Sequence, residues 1–203
     1  AYAGAQGLEI TIPGDAPYWS GGAFTDSAEC DLSPYNAVTF WAKASQAATL
    51  DVAGLGNDNT GTSKYMAQVS GLALTTTWQQ YVIPIPLAEK LVAERGLFYF
   101  AEGEGVTYQI WVDEIVFDSL STITNPRPAL LPETIDVDSG DVVSVSNGTV
   151  TFDVGGTDMV VSAMPGYFTF TSSDPSIVSV GVDGVITAEA PGTATLTAEL
   201  GDI

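Results

Sequence analysis

The chain predicts an all-β fold: a larger β-sandwich followed by a smaller one. Three observations carry this. Apolar–polar alternation of period two recurs in short segments along the chain, as expected of strands buried on one face. Glycine (21 residues) and proline (11) separate those segments as turns. All four tryptophans (Trp19, Trp41, Trp78 and Trp111) precede a proline-bearing stretch, and shorter Val-, Thr- and Ser-rich segments follow it.

In the first domain, residues 1–121, the segments LEITIP, AVTFWAKA, ATLDVAGL, YMAQVSGLAL, WQQYVIPIP, LFYFAEG and YQIWVDEIVFD read as strands. PYWSGG, from Pro17 to Gly22, reads as a loop that sets Tyr18 and Trp19 between a proline and a glycine pair. PLAEKLVAERG, Pro86 to Gly96, departs from the alternation. Proline near its start, Glu and Lys next and glycine at its close predict one short helix or helical turn. NDNTG, Asn57 to Gly61, begins like a calcium-binding EF-hand loop but lacks its closing glutamate, so it reads as a turn.

TITNPRPALLPET carries Pro126, Pro128 and Pro132. Proline withholds a ladder donor, so residues 122–132 are expected to be a stiff, extended connector and not a central strand. Residues 133–203 form the second domain. Asp183-Gly184 and Pro191-Gly192 mark turns between the short strands IVSV, VITA and TATLTAEL, a grammar that fits a sandwich of about seven strands. Asn147-Gly148, also the start of an Asn-Gly-Thr glycosylation sequon, reads as a hairpin turn.

Charge narrows the function classes. There are 25 acidic residues against 5 basic ones, a net charge of -20, and no Lys or Arg between Glu133 and Ile203. Such a surface repels phosphate backbones, anionic lipid and polyanionic glycans, so neither nucleic acid nor membrane is expected as a partner. Apolar runs all fall short of the ~18–20 residues of a membrane helix. The acidity suits a saline medium, where screening relieves self-repulsion, or simply a soluble secreted protein. Cys30 stands alone and histidine is absent. That excludes an internal disulfide, a Ser-His or Cys-His nucleophile pair and a His-bearing zinc site. The chain opens AYAGAQG without Met and stops at AELGDI, and reads as part of a longer protein with further domains.

The run SSDPSIVSVGVDGVITAEAPGTATLTA resembles the bacterial immunoglobulin-like group 2 family. The resemblance implies an Ig-like sandwich acting as an extracellular spacer or adhesin-type module, one strand short of complete at Ile203. In the first domain the relevant residues are Asp31, Leu32, Ser33 and Tyr35, then Thr75, Thr77, Trp78 and Tyr81, then Val112, Asp113, Ile115 and Phe117. They resemble the motifs of galactose-binding-like jelly-roll carbohydrate-binding modules related to families 4, 11 and 22. That implies a jelly roll that binds polysaccharide without catalysis, in an extracellular or surface-attached bacterial protein. It also implies a structural Ca²⁺ near the end of the last strand, with Asp113 as a ligand and a carbonyl from Gly22.

A sugar ring offers an apolar C–H face and a hydroxyl rim; aromatic rings pack on the first, and Gln, Asn, Asp or Glu read the second. Candidate carbohydrate-binding residues are Tyr18 and Trp19 in the loop, Trp41, Tyr65 and Tyr99. Strand parity puts Val38, Phe40 and Ala42 on the core face, and Trp41 with Lys43 on the other, as groove or as cover for a loop. By the same parity Gln109, Trp111, Asp113, Ile115 and Phe117 share one face. Trp78 and Trp111 read as core. Glu102 and Glu104 read as acidic loop residues or as grips for hydroxyls. Acidity favours a neutral polymer such as a β-glucan. The alternative is a structural or adhesive surface protein binding a protein partner, which an aromatic patch without Gln, Asn or Glu beside it would favour. A glycosidase needs two carboxylates about 5–9 Å apart across a groove, and no pair sits at a recognisable motif.

Overall fold

The structure is a computed structural model that describes residues 1–14, 19–103 and 105–203. The first half contributes β1 (Leu8–Ile12), β2 (Ser20–Cys30), β3 (Ala37–Ala44), β4 (Ala48–Leu55), β5 (Ala67–Leu74), β6 (Gln79–Pro84), β7 (Glu94–Glu102) and β8 (Tyr108–Asp118). The second contributes β9 (Ile123–Ala129), β10 (Val142–Ser144), β11 (Gly148–Val154), β12 (Thr157–Ala163), β13 (Thr169–Ser172), β14 (Val178–Val180), β15 (Val185–Ala188) and β16 (Leu196–Glu199). The protein is all-β: among the described residues the only helical elements are two 3-10 turns, Ala88–Lys90 and Pro165–Tyr167.

A front sheet of four strands, ordered β1-β8-β3-β6, packs on a second sheet of seven, ordered β2-β7-β4-β5-β12-β11-β9. Between them lies the core expected from strand parity. Val38, Phe40, Ala42 and Ala44 of β3 and Ile110 and Val112 of β8 meet Phe98 and Phe100 of β7 and Leu50 and Ala53 of β4. Phe40 stands 5.0 Å from Phe98 and stacks 5.4 Å from Tyr81, ring centre to centre.

Parity turns over in β8 and in β5, among other strands. The β3–β8 ladder shifts register between Thr39 and Trp41, and Glu114 there adopts φ 49°. Such a bulge inserts a residue and swaps the faces beyond it. Gln109, Trp111 and Asp113 therefore point outward, while Phe117 packs inward beside Tyr35 at 6.1 Å. The expectation that all five odd residues from Gln109 to Phe117 share a face holds only up to Asp113. In β5, Gly71 at φ 71° makes the turnover, so that Val69 and Leu74 are both buried.

The segment Pro86–Gly96, expected as a short helix, forms only the 3-10 turn at Ala88–Lys90, and β7 begins at Glu94. A helix this short is marginal without packing. Here Leu91 is fully buried and its carbonyl accepts the N–H of Leu32, which ends the turn. NDNTG is a turn: the Asp58 carboxylate accepts from Ser63 and Thr60, which holds its pKa below the ordinary value.

The connector expected at 122–132 contains a strand. β9 pairs antiparallel with β11 at the outer edge of the larger sheet. Its prolines, Pro126 and Pro128, are tolerated there because an edge strand has one side without ladder partners. Its approach is tied down as well: Asn36 donates from Nδ2 to the Leu120 carbonyl and accepts the Leu120 N–H at 2.8 Å. The β11–β12 hairpin turns at Gly155-Gly156, φ 60° and 88°, the positive values that match strand twist. Asn147-Gly148, expected as a hairpin turn, leads into β11 instead, because β10 pairs with β15. Asp183-Gly184 does turn between β14 and β15. The remaining strands form a sheet of three, β10-β15-β14, and a pair, β13-β16.

The two halves share the larger sheet, hereafter the shared sheet. β12 pairs with β5 through Ser162↔Gln68 and Ala163↔Ala67, and the Met164 N–H continues the ladder to the Met66 carbonyl at 3.0 Å. Over this seam Tyr167 is fully buried. Its ring meets Tyr65 edge-on at 5.6 Å and its hydroxyl donates to the Tyr65 carbonyl at 2.7 Å. One continuous apolar cluster runs from Ile12 through Val150 and Val161 to Leu200.

Close approaches around β4 give a first prediction. A Cβ on Gly54 would lie 2.4 Å from the Ala67 carbonyl oxygen and 2.6 Å from the Tyr99 ring. Gly54→Ala is expected to destabilise by about 1–3 kcal/mol, the usual cost of overpacking, read as a lower urea midpoint. An unchanged midpoint would mean that β4 and β5 can part freely.

A second prediction concerns Glu94, near the seam. Burial, and then the charge of Asp58, push its carboxyl from 4.5 up to about 7. The folded state thus holds this proton more tightly than the unfolded chain. The stability it contributes is complete below about pH 4.5 and is lost as pH rises through about 7. Glu94→Gln is expected to raise Tm above pH 7 relative to the parent and to flatten the Tm profile between pH 5 and 7. Parallel profiles would refute this.

Candidate functional site

The outward face of the front sheet carries Trp41 and Trp111, with the Tyr2 ring against Trp41 and Trp78. Cross-strand register builds two adjacent rows. One runs Glu9, Trp111, Lys43, through the pairs Glu9↔Trp111 and Lys43↔Trp111. The other runs Asp113, Trp41, Gln80, through Trp41↔Asp113 and Trp41↔Gln80. Trp78, one residue before β6, extends the face. Trp41, Trp78 and Trp111 are all partly buried.

Polar groups hold these rings in place. Lys43 Nζ lies 4.9 Å from the centre of the Trp111 ring and 5.3 Å from that of Trp78, a cation set against two π faces. Glu9 accepts from Trp111 Nε1 at 3.0 Å with one oxygen and from Gln109 Nε2 at 2.8 Å with the other. The amino-terminal segment lies across the second row. Tyr2 stacks on Trp41 at 3.7 Å, 10° from parallel, and meets Trp78 at 6.0 Å and 62°. The N–H groups of Tyr2 and Ala3 donate to Asp113 Oδ2 at 2.7 and 3.1 Å, and that of Glu114 to Oδ1 at 2.9 Å. These bonds hold the Asp113 pKa below the ordinary carboxylate value, that from Ala3 most. The face thus combines flat apolar surfaces with carboxylate and carboxamide groups, and suits a ligand with an apolar face and a hydroxyl rim.

The sequence candidates do not come together. Trp41 belongs to this face. Tyr18 and Glu104 lie outside the described residues. Trp19 is 65% exposed and lies beside Gly103, whose N–H donates to Asp51 Oδ2 at 2.9 Å, near the start of β2 in the shared sheet. Tyr65 packs against Tyr167 at the seam. Tyr99 is 5% exposed: its ring lies over Gly54, its hydroxyl donates to Gln68 Oε1 at 2.6 Å, and burial pushes its pKa to about 12. The assignment of Tyr99 as a sugar platform is corrected, because its ring is enclosed; Tyr65 lies at the seam, apart from the front-sheet face. Glu102 is corrected from an exposed loop acid to a buried acceptor that takes the Asp51 N–H and the Tyr108 hydroxyl.

Trp78 and Trp111, expected in the core, stand on the outward face. The polar residues sharing the strand face of Trp111, Gln109 and Asp113, were the available signal; for Trp78 the neighbouring Gln79 and Gln80 were.

The calcium pair does not fit. Gly22 sits in β2 opposite Phe100, in the shared sheet, whereas Asp113 faces outward from the front sheet and accepts three backbone N–H groups. Among the described residues no group of three or more metal-ligating side chains is assembled.

No protein-family model and no curated protein matches the chain. A solved structure described as the crystal structure of a family 30 carbohydrate binding module is similar to it at 17% identity, with a TM-score of 0.43, over 59% of this chain and 71% of that one.

Proposed function

We propose that the chain is a non-catalytic carbohydrate-binding module whose ligand lies on the outward face of the front sheet, against Trp41, Trp78 and Trp111. The observation that carries this reading is the placement of three tryptophans on one sheet face with Glu9, Gln80, Gln109 and Asp113 around them. Stacking supplies affinity for the C–H face of a sugar, and the polar groups accept or donate at its hydroxyls. A face with Glu and Gln beside its rings favours a glycan over a protein partner. With a net charge of -20 the polymer is a neutral one, such as a β-glucan. The second half is read as an Ig-like extension of the same secreted or surface-attached protein, which belongs to a longer polysaccharide-degrading system.

Affinity electrophoresis against soluble β-glucan, xyloglucan, galactomannan and alginate tests the reading. Retardation by a neutral polymer and none by alginate is expected. Free migration in all four overturns it.

A further inference from the structure

The face proposed above as the glycan platform already carries an aromatic ring, supplied by the chain itself. Residues 1–7, AYAGAQG, are exposed throughout, and Tyr2 is their only large side chain. The segment curls back on itself: a Cβ on Gly7 would lie 3.1 Å from the Ala1 Cα, and Gly4 adopts φ 65°. Its described hold on the platform is the Tyr2 ring on Trp41, the same ring edge-on to Trp78, and the two N–H bonds to Asp113 Oδ2.

Each contact is one that a sugar would make in its place. A ring 3.7 Å from Trp41 and nearly parallel to it occupies the layer in which a pyranose would rest its C–H face. The two donors on Asp113 Oδ2 stand where adjacent sugar hydroxyls would donate. Trp41 cannot carry Tyr2 and a sugar on the same face, and Asp113 Oδ2 has no lone pair left while the arm is docked.

We infer that residues 1–7 are a tethered competitor of the glycan: the Trp41–Asp113 subsite, which takes one sugar ring, opens only when the arm lifts away. This rests on the carbohydrate reading. The arm lowers apparent affinity by the fraction of molecules in which it is docked. Removing its one anchoring side chain is expected to tighten binding by about threefold to tenfold, the factor for an arm docked in most molecules.

The test uses the full chain in affinity electrophoresis on β-glucan, xyloglucan and galactomannan, with Tyr2→Ala and Tyr2→Phe beside the parent. Tyr2 is outside the proposed binding machinery and exposed, so neither variant endangers folding. Stronger retention of Tyr2→Ala, not shared by Tyr2→Phe, which keeps the ring, is the expected result. Equal or weaker retention of Tyr2→Ala than of the parent overturns the inference and leaves the carbohydrate reading standing; a gain equal in both variants overturns the stacking argument. Free migration of all three proteins in every polymer overturns both.

Discussion

Tyr167→Ala is expected to destabilise the protein by about 3–5 kcal/mol, the usual loss on truncating a buried aromatic. The site is unusually demanding. Tyr167 is fully buried, its ring abuts Tyr65, and its hydroxyl satisfies the Tyr65 carbonyl. Truncation opens a cavity and leaves that carbonyl without its partner. Tyr167→Phe separates the two effects: it keeps the ring and should cost about 1–3 kcal/mol for the unpaired acceptor. All four tryptophans lie in the first half, so their fluorescence reports that half alone, whereas far-UV circular dichroism reports the whole chain. The parent should show coincident urea transitions by both probes. In Tyr167→Ala they should separate, because the seam that couples the halves is broken. Coincident and unshifted transitions would show that the seam carries no such weight.

Loss of the platform tryptophans should have the largest effect on binding. Trp41→Ala and Trp78→Ala are each expected to weaken glycan retention by about tenfold or more, since buried aromatic anchors at interfaces cost about 2 kcal/mol or more on truncation. Both rings are partly exposed on the outward face, so unfolding midpoints should move far less than affinity does. Trp19→Ala is the comparator. Its ring is 65% exposed and lies by Gly103 at the edge of the shared sheet, and its loss should leave retention unchanged. If Trp19→Ala abolishes binding while Trp41→Ala does not, the ligand lies at that edge and the front-sheet assignment is wrong.

The strands most visible in the sequence are those whose alternation one partner strand confirms. AVTFWAKA became β3 because Val38, Phe40 and Ala42 form an unbroken apolar row. β2 escaped notice although it has 11 residues, because SGGAFTDSAEC is mostly exposed and gets its extended form from pairing with β7. Parity divides a strand into two faces without saying which one is buried. Trp111 reads as core beside Ile110 and Val112, although Gln109 and Asp113 on its own strand face mark that face as outward. Tyr99 shows the converse error: it points away from the sandwich core, yet Gly54 and Gln68 enclose it. The bulge at Glu114 has no signature in residue type, so the inward turn of Phe117 was not readable. The prolines of β9 correctly excluded a central strand, and an edge position satisfies the same constraint.

The shared sheet also determines how the molecule answers a pull. A disordered linker lengthens like a weak spring, so a tethered binding head swings widely and takes up slack before any bond is strained. Here the connection between the halves is already extended and laddered: β9 lies along β11, Leu120 is held by Asn36, and β12 is zipped to β5. A tension applied between β5 and β12 loads their ladder hydrogen bonds directly. The first half is therefore carried as on a stiff handle, its bearing relative to the second half held by the β5–β12 ladder.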